Sequence, residues 1–398
     1  MKKIIGLSCI LISSVFANQQ LDDMKEIIKQ QQLRLELLEK KIEINEESKF
    51  AKNQDASSSF SQKAYLPDIA FIANMSALAR DVENEKYSNY AIDGFINKAG
   101  EIPFNKKRGF NLNYGEMEIS SSVDPYFDID AALHIEKEGL HIGELYITTR
   151  ALPYGLRLKS GKFKSEFGRI NSKHQHSWDF SAIPLLFEAY FGAGGLGDEG
   201  LQLQYTPPID TFVQLGFEAM QGGNGRSFGD TDKNNLNIVY LKSSFDLNDE
   251  ISLLYGGTWM SGKNRDGDTD IYGGDLTIKY IIDSYSSLSW QSELLYRDKD
   301  IENETLKQAG LYSEVVFDID QNWATGVRYD TLFKNIDNQP DDLNRYTAML
   351  QYKPFEFSKI RLQYTYDKSK SFAGKREDIQ EIMLGFTIES GAHGAHSF

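Results

Sequence analysis

Residues 344–368 read NRYTAMLQYKPFEFSKIRLQYTYDK. Tyr346, Ala348, Leu350 and Tyr352 alternate with Arg345, Thr347, Gln351 and Lys353; beyond Pro354, Ile360, Leu362, Tyr364 and Tyr366 alternate with Arg361, Gln363, Thr365 and Asp367. Successive side chains of a strand point to opposite faces, so each run is a strand with one apolar and one polar face, and Lys353-Pro354 is a tight joint between them. Phe127, Ile129, Ala131, Leu133 and Ile135 repeat the pattern against Asp128, Asp130, His134 and Glu136. The polar face carries charge strand after strand, at Glu218, Glu293, Glu314, Arg328, Arg361 and Glu381. That is too much charge for the dry core of a sandwich. Apolar outside and polar inside is the pattern of a transmembrane antiparallel β-barrel.

The period of two runs from about residue 65 to the C-terminus and divides into about sixteen strands, from 67–79 to 378–389. Each is near the ~9–11 residues that a tilted strand needs to cross a bilayer. The joints sort by parity. Every second one is short and turn-like (Asp124-Pro125, Thr206-Pro207-Pro208, Asn248-Asp249, Asp318-Ile319-Asp320, Lys353-Pro354), and most of the others are longer and polar. An even strand count with short turns at one end and long loops at the other is how bacterial barrels are built.

Composition agrees with this and excludes other classes. With 40% hydrophobic residues and a mean hydropathy of −0.45, the chain lacks the runs of about 20 apolar residues that a helical membrane bundle needs. The 21 Tyr, 24 Phe and 32 Gly suit pleated surfaces and tight turns. A net charge of −15 disfavours nucleic acid as a partner, since phosphate binding needs a basic face.

Ahead of the barrel the period is different. Residues 1–17, MKKIIGLSCILISSVFA, combine a basic start, an apolar stretch and a small-residue cleavage site at Val15 and Ala17, the pattern of a secretory signal peptide. The single cysteine, Cys9, falls inside it, so the mature chain is expected to have no disulfide and no thiolate metal site. A lipoprotein reading of Leu7-Ser8-Cys9 leaves almost no apolar region before the cysteine. Leu21, Met24, Ile28, Leu35, Leu38 and Ile42 step by threes and fours, with Gln31 in one core place. This is a heptad seam of about three repeats over 18–44, too short to be stable alone, and it predicts a periplasmic coiled coil in a homotrimer. The alternative is one amphipathic helix packed on the barrel's end. Residues 45–64 are polar and Ser-rich and read as a linker to the barrel at 65–398.

Two loops stand out by length, at about 80–111 and about 164–198. The second mixes Arg169, Lys173, His174 and His176 with an aromatic half, Trp178 to Phe191, too apolar to lie free in water. It also carries Asp179 and Glu188. The preceding strand, expected at 154–163, brings Arg157, Lys159 and Lys162, with Lys164 just beyond. Bases facing water in a narrowed channel favour anions. Against that, Gly161 breaks the phase, which would place Lys162 and Lys164 at the outer rim against lipid phosphate. The constriction candidates are therefore Arg157, Lys159, Arg169, Lys173, His174, His176, Asp179 and Glu188.

His174 and His176, like His393 and His396, fall short of the three or four ligands a zinc site usually has, so no metal or other cofactor is expected and this pair is the weak candidate. Asp266, Asp268 and Asp270 lack the spaced Glu of a calcium loop. No G-x-S-x-G, H-E-x-x-H or Walker pattern occurs, and no enzymatic activity is expected.

GKFKSEFGRINSKHQHSWDF (161–180), GLGDEGLQLQY (195–205) and GAHGAHSF (391–398) resemble the proteobacterial outer-membrane porins, including the phosphate-selective porin superfamily. They are also similar to chains labelled zinc-regulated TonB-dependent outer-membrane receptors. The final Phe398 resembles the assembly signal of outer-membrane proteins. The porin resemblance implies a third loop folded into the lumen; a cap over the barrel's mouth or a trimer contact is the alternative. A TonB-dependent receptor would add a plug and about 22 strands, for which this chain has no room. The expectation is thus a Gram-negative outer-membrane pore, surrounded by lipid and lipopolysaccharide, for passive diffusion of small hydrophilic solutes or ions. Specific uptake of a metal or an anion, and a structural or adhesive anchor, are the alternatives.

Overall fold

The computed structural model describes residues 67–96, 107–136, 139–229, 232–302, 304–333 and 341–391. The expected signal peptide, coiled coil and linker at 1–64, with His393, His396 and Phe398, lie outside the described residues.

Sixteen antiparallel strands close into one barrel. They are β1 (Asp68–Arg80), β2 (Gly109–Ser122), β3 (Phe127–Glu136), β4 (Gly139–Thr149), β5 (Leu156–Lys164), β6 (Gly197–Tyr205), β7 (Val213–Met220) and β8 (Leu236–Asp246). The second half follows as β9 (Ile251–Lys263), β10 (Asp268–Ile281), β11 (Ser287–Ile301), β12 (Glu304–Asp318), β13 (Trp323–Leu332), β14 (Leu343–Phe355), β15 (Ser358–Asp367) and β16 (Ile379–Gly391). Each pairs with its sequence neighbour, and β1 pairs with β16 from Ala70↔Gly391 to Arg80↔Glu381, which leaves the barrel no open edge.

The alternation of 344–368 is realised as read. Leu350, Leu362 and Tyr364 are exposed on the outer face, and Thr347, Gln351, Arg361 and Gln363 are buried on the inner one. The outer belt carries aromatic girdles at two levels. Trp323 pairs with Tyr352 near the short-turn end, at 4.6 Å between centroids, and Tyr329 with Tyr346 six residues further along β13, at 5.2 Å. Six residues of strand span about 20 Å. Tilted by about 35–45°, that span rises only about 15 Å along the membrane normal, which fits within the ~25 Å apolar band. Val327, between Trp323 and Tyr329 on the same face, is 58% exposed. Val327→Arg should therefore cost about 2–4 kcal/mol of barrel stability, checked by urea unfolding in lipid vesicles. No loss would mean that the residue does not face lipid.

Two local readings change. Pro354 lies inside β14 rather than in the turn, and a register shift between Tyr352 and Phe355 accommodates it, since proline cannot donate to the ladder. Gly161 does not break the phase of β5. Leu158 faces out, whereas Lys159 and Phe163 are buried on the inside. Gly161 keeps this register through a positive φ of +136°, where a Cβ would stand 2.3 Å from the Leu145 carbonyl oxygen. Lys162 donates to the Ile142 carbonyl at 2.9 Å, and Lys164 reaches the Gly194 carbonyl at 3.0 Å.

Candidate functional site

Between β5 and β6 the chain leaves the wall for residues 165–196 and folds into the lumen. Two features start this excursion. Asn171 donates to the carbonyls of Ser165 and Leu196 at 2.7 and 2.8 Å and accepts from the Leu196 amide, tying the loop's two ends together. The aromatic half then has apolar wall to cover. Phe180, Leu185, Leu186, Phe187 and Tyr190 are buried. They lie in a segment that includes a one-and-a-half-turn helix, α1 (Leu185–Tyr190), reaching the wall where Phe187 meets Tyr312 at 6.2 Å between centroids. The inner face is apolar opposite this segment, at Ile238, Tyr240, Ile271, Leu295, Tyr312 and Leu332. Strict apolar-out and polar-in alternation thus fails in β8 and β10–β13, and the loop is the reason.

Charged wall residues hold the loop by its backbone. Asp330 of β13 accepts the Leu185 amide at 2.8 Å, closing the start of α1. Arg328 donates to the Ala182 carbonyl and Arg345 to the Ile183 carbonyl, at 2.9 and 2.7 Å. Arg361 donates to the Trp178 carbonyl at 2.8 Å, and Lys359 to that of His176. Glu293 accepts the amides of Arg169 and Ile170, and Glu218 accepts that of Glu166. The wall charges that mark the inner face in the sequence are therefore anchors as much as lining.

Glu188 sits where four segments meet. Its carboxylate accepts from Tyr90 of the first loop at 2.7 Å, from Arg345 of β14 at 2.9 Å, and from Lys370 of the last loop. Its carbonyl accepts from Arg226. Burial alone would raise the Glu188 carboxyl; Lys370 and Arg345, with the hydrogen bonds from Lys370 and Tyr90, hold it down at about 2.

The eight residues singled out in the sequence differ in their surroundings. Lys159 is buried against Glu166 at 2.7 Å, and Arg169 pairs with Asp275, so both are neutralised. Arg157 is exposed on the inner face of β5, Lys173 is half-buried and Asp179 is exposed. His174 meets three carboxylates, with Nδ1 at 2.5 Å from Glu116 and 3.0 Å from Glu118, and Nε2 at 3.2 Å from Glu144. Burial would lower its imidazole, but hydrogen bonds with those carboxylates raise it well above the ordinary range.

Sequence reasoning missed Glu116, Glu118, Glu144, Asp330, Lys359 and Lys370. The only signal was Glu116-x-Glu118, two acids on one face of a strand. Beside the loop lies a small recess lined by Asn74, Asn113, His176, Lys359, Arg361 and Thr387 among others.

No family model matches the chain. An uncharacterized protein of Aquifex aeolicus is 38% identical, over 86% of this chain and 82% of its own length. The chain belongs to the same family as that protein. Among solved structures, the outer-membrane channel DcaP of Acinetobacter baumannii matches with a TM-score of 0.55 at 12% identity, over 84% of this chain and 99% of that one. An anion-selective porin from Comamonas acidovorans matches with a TM-score of 0.55 at 9% identity, over 82% and 99%. At such identities the likeness is one of fold, and the fold is that of outer-membrane porins.

Proposed function

We propose that this family member is an outer-membrane porin, a passive channel for small hydrophilic solutes or ions with residues 165–196 as its constriction. The observation that carries the reading is the long loop locked into the lumen by Arg328, Arg345, Arg361 and Asp330. Sixteen strands leave a lumen wide enough for an aqueous path, and the loop fills part of it. The fold shared with the Acinetobacter outer-membrane channel and the Comamonas porin supports the same reading. Conduction through such a path needs no bond chemistry, and no reaction is assigned. Purified protein in planar bilayers should give discrete, ohmic conductance steps; a silent, correctly folded barrel would turn the reading toward a structural or adhesive anchor.

The pore is read as favouring anions where it is narrowest. Lys359 and Arg361 line the open recess and Arg157 lies exposed on the inner wall, whereas the net charge of −15 is counted over the whole chain. Exposed acids act through screening solvent, and bases in a narrow path are screened less. The heptad seam of 18–44 supports a homotrimer joined in the periplasm. Deleting 18–44 should weaken the trimer in crosslinking and native mass measurements while leaving the barrel folded. An unchanged oligomer would give the helix another task.

A further inference from the structure

β2 turns Glu116 and Glu118 inward at successive same-face positions, and the lumen loop lays His174-Gln175-His176 across them. One ligand atom from each of Glu116, Glu118, His174 and His176 lies within 4.8 Å of all the others. We propose that these four side chains form a binding site for a divalent transition-metal ion of the zinc class, which would staple the base of the lumen loop to the barrel wall.

The donor set selects the ion. Two imidazoles with two carboxylates suit Zn²⁺ and its borderline neighbours, whereas Ca²⁺ and Mg²⁺ favour oxygen alone. Zinc holds nitrogen and oxygen ligands at about 2.0–2.2 Å, which sets tetrahedral donors roughly 3.3 Å apart. Around an ion the widest of these separations, at most 4.8 Å, would close by up to about 1.5 Å, and the His174 contacts with Glu116 and Glu118, at 2.5 and 3.0 Å, would open by less than about an ångström. The backbone prepares this convergence. A 3₁₀ turn at Gln175–Ser177 sets the rings of His174 and His176 5.7 Å apart and at 86° to each other, so that they meet at an angle and do not stack.

Charge favours a cation as well. Glu116, Glu118 and Glu144 surround His174, so three carboxylates meet one imidazole, with Lys164 near Glu116 and Glu144 offsetting part of the excess, and Glu116 and Glu144 are buried. A divalent ion would balance that excess. Glu144 on Nε2 of His174 and His134, at 3.6 Å from Glu116, are placed to orient the ligands. His176 also lines the open recess beside the loop, which gives an ion an access path.

The test is binding to the folded full-length protein in detergent, stripped with a chelator, and it does not depend on conductance; a barrel that passes no ions still reports on the site. Titration with Zn²⁺ should show one tight site per chain that Mg²⁺ and Ca²⁺ do not fill, and Co²⁺ should bind there with the visible bands of nitrogen and oxygen ligation. Glu118→Gln and His176→Gln should each raise the Zn²⁺ dissociation constant at least about tenfold, while His393→Ala with His396→Ala should leave it unchanged. The Co²⁺ spectrum of the unmodified protein keeps the test decisive if a variant fails to fold. Absence of saturable Zn²⁺ binding, affinity indifferent to His176 and Glu118, or loss on removing the C-terminal pair would each overturn the proposal.

Discussion

Glu188→Gln should raise single-channel conductance, add open-channel noise and lower the thermal unfolding midpoint. The change keeps the side chain's size and removes its charge, leaving Arg345 and Lys370 in a buried joint where each loses its carboxylate partner at Glu188. Breaking a buried pair from one side typically costs about 3–5 kcal/mol, because the remaining charge stays desolvated. Here the loss falls on the contacts between the lumen loop and its neighbours, so the loop should loosen before the barrel does. Deleting 174–191 should raise conductance further. Acid alone should not imitate the substitution. A depressed carboxyl stabilises above its unfolded value, and that stability is lost only as pH falls through the folded value, about 2 for Glu188. The joint should hold at pH 5. Unchanged conductance in Glu188→Gln and in the deletion alike would show that the loop does not limit flow.

Lys359→Gln combined with Arg361→Gln should shift the reversal potential under a salt gradient toward cations. Both bases line the open recess. A charge about 10 Å from a passing ion contributes on the order of 0.4 kcal/mol even at the dielectric of water. Two charges acting oppositely on anion and cation should therefore change the permeability ratio several-fold, after screening at 0.1 M salt with a Debye length of about 10 Å. Lys359→Arg should preserve selectivity. Replacing Arg157, Lys159, Arg169 and Lys173 together by Gln should move the potential the same way, in part because Glu166 and Asp275 lose their partners. If neither set moves it, the bases stand outside the narrow path and line a rim.

Much of the architecture was legible because a barrel wall obeys a local rule. A strand with lipid on one side and the lumen on the other must alternate, and one slip exchanges its faces. The sequence by itself therefore determined the antiparallel barrel of about sixteen strands, the sorting of short turns and long loops, and the long loop at about 164–198 with its apolar half. Tertiary structure decided what that excursion meets. Ile238, Tyr240, Ile271 and Leu295 face inward and apolar because the loop covers them, a contact between segments tens of residues apart that no local period encodes. It also decided which charges are spent on pairing, as Lys159 on Glu166 and Arg169 on Asp275. Closure of the barrel brings Glu116 and Glu118 of β2 under His174 and His176, and a metal-ligating set split between a strand and a distant loop shows no spacing along the chain. Side-chain direction is fixed locally by the pleat, whereas its partner is fixed by where the folded loop comes to rest.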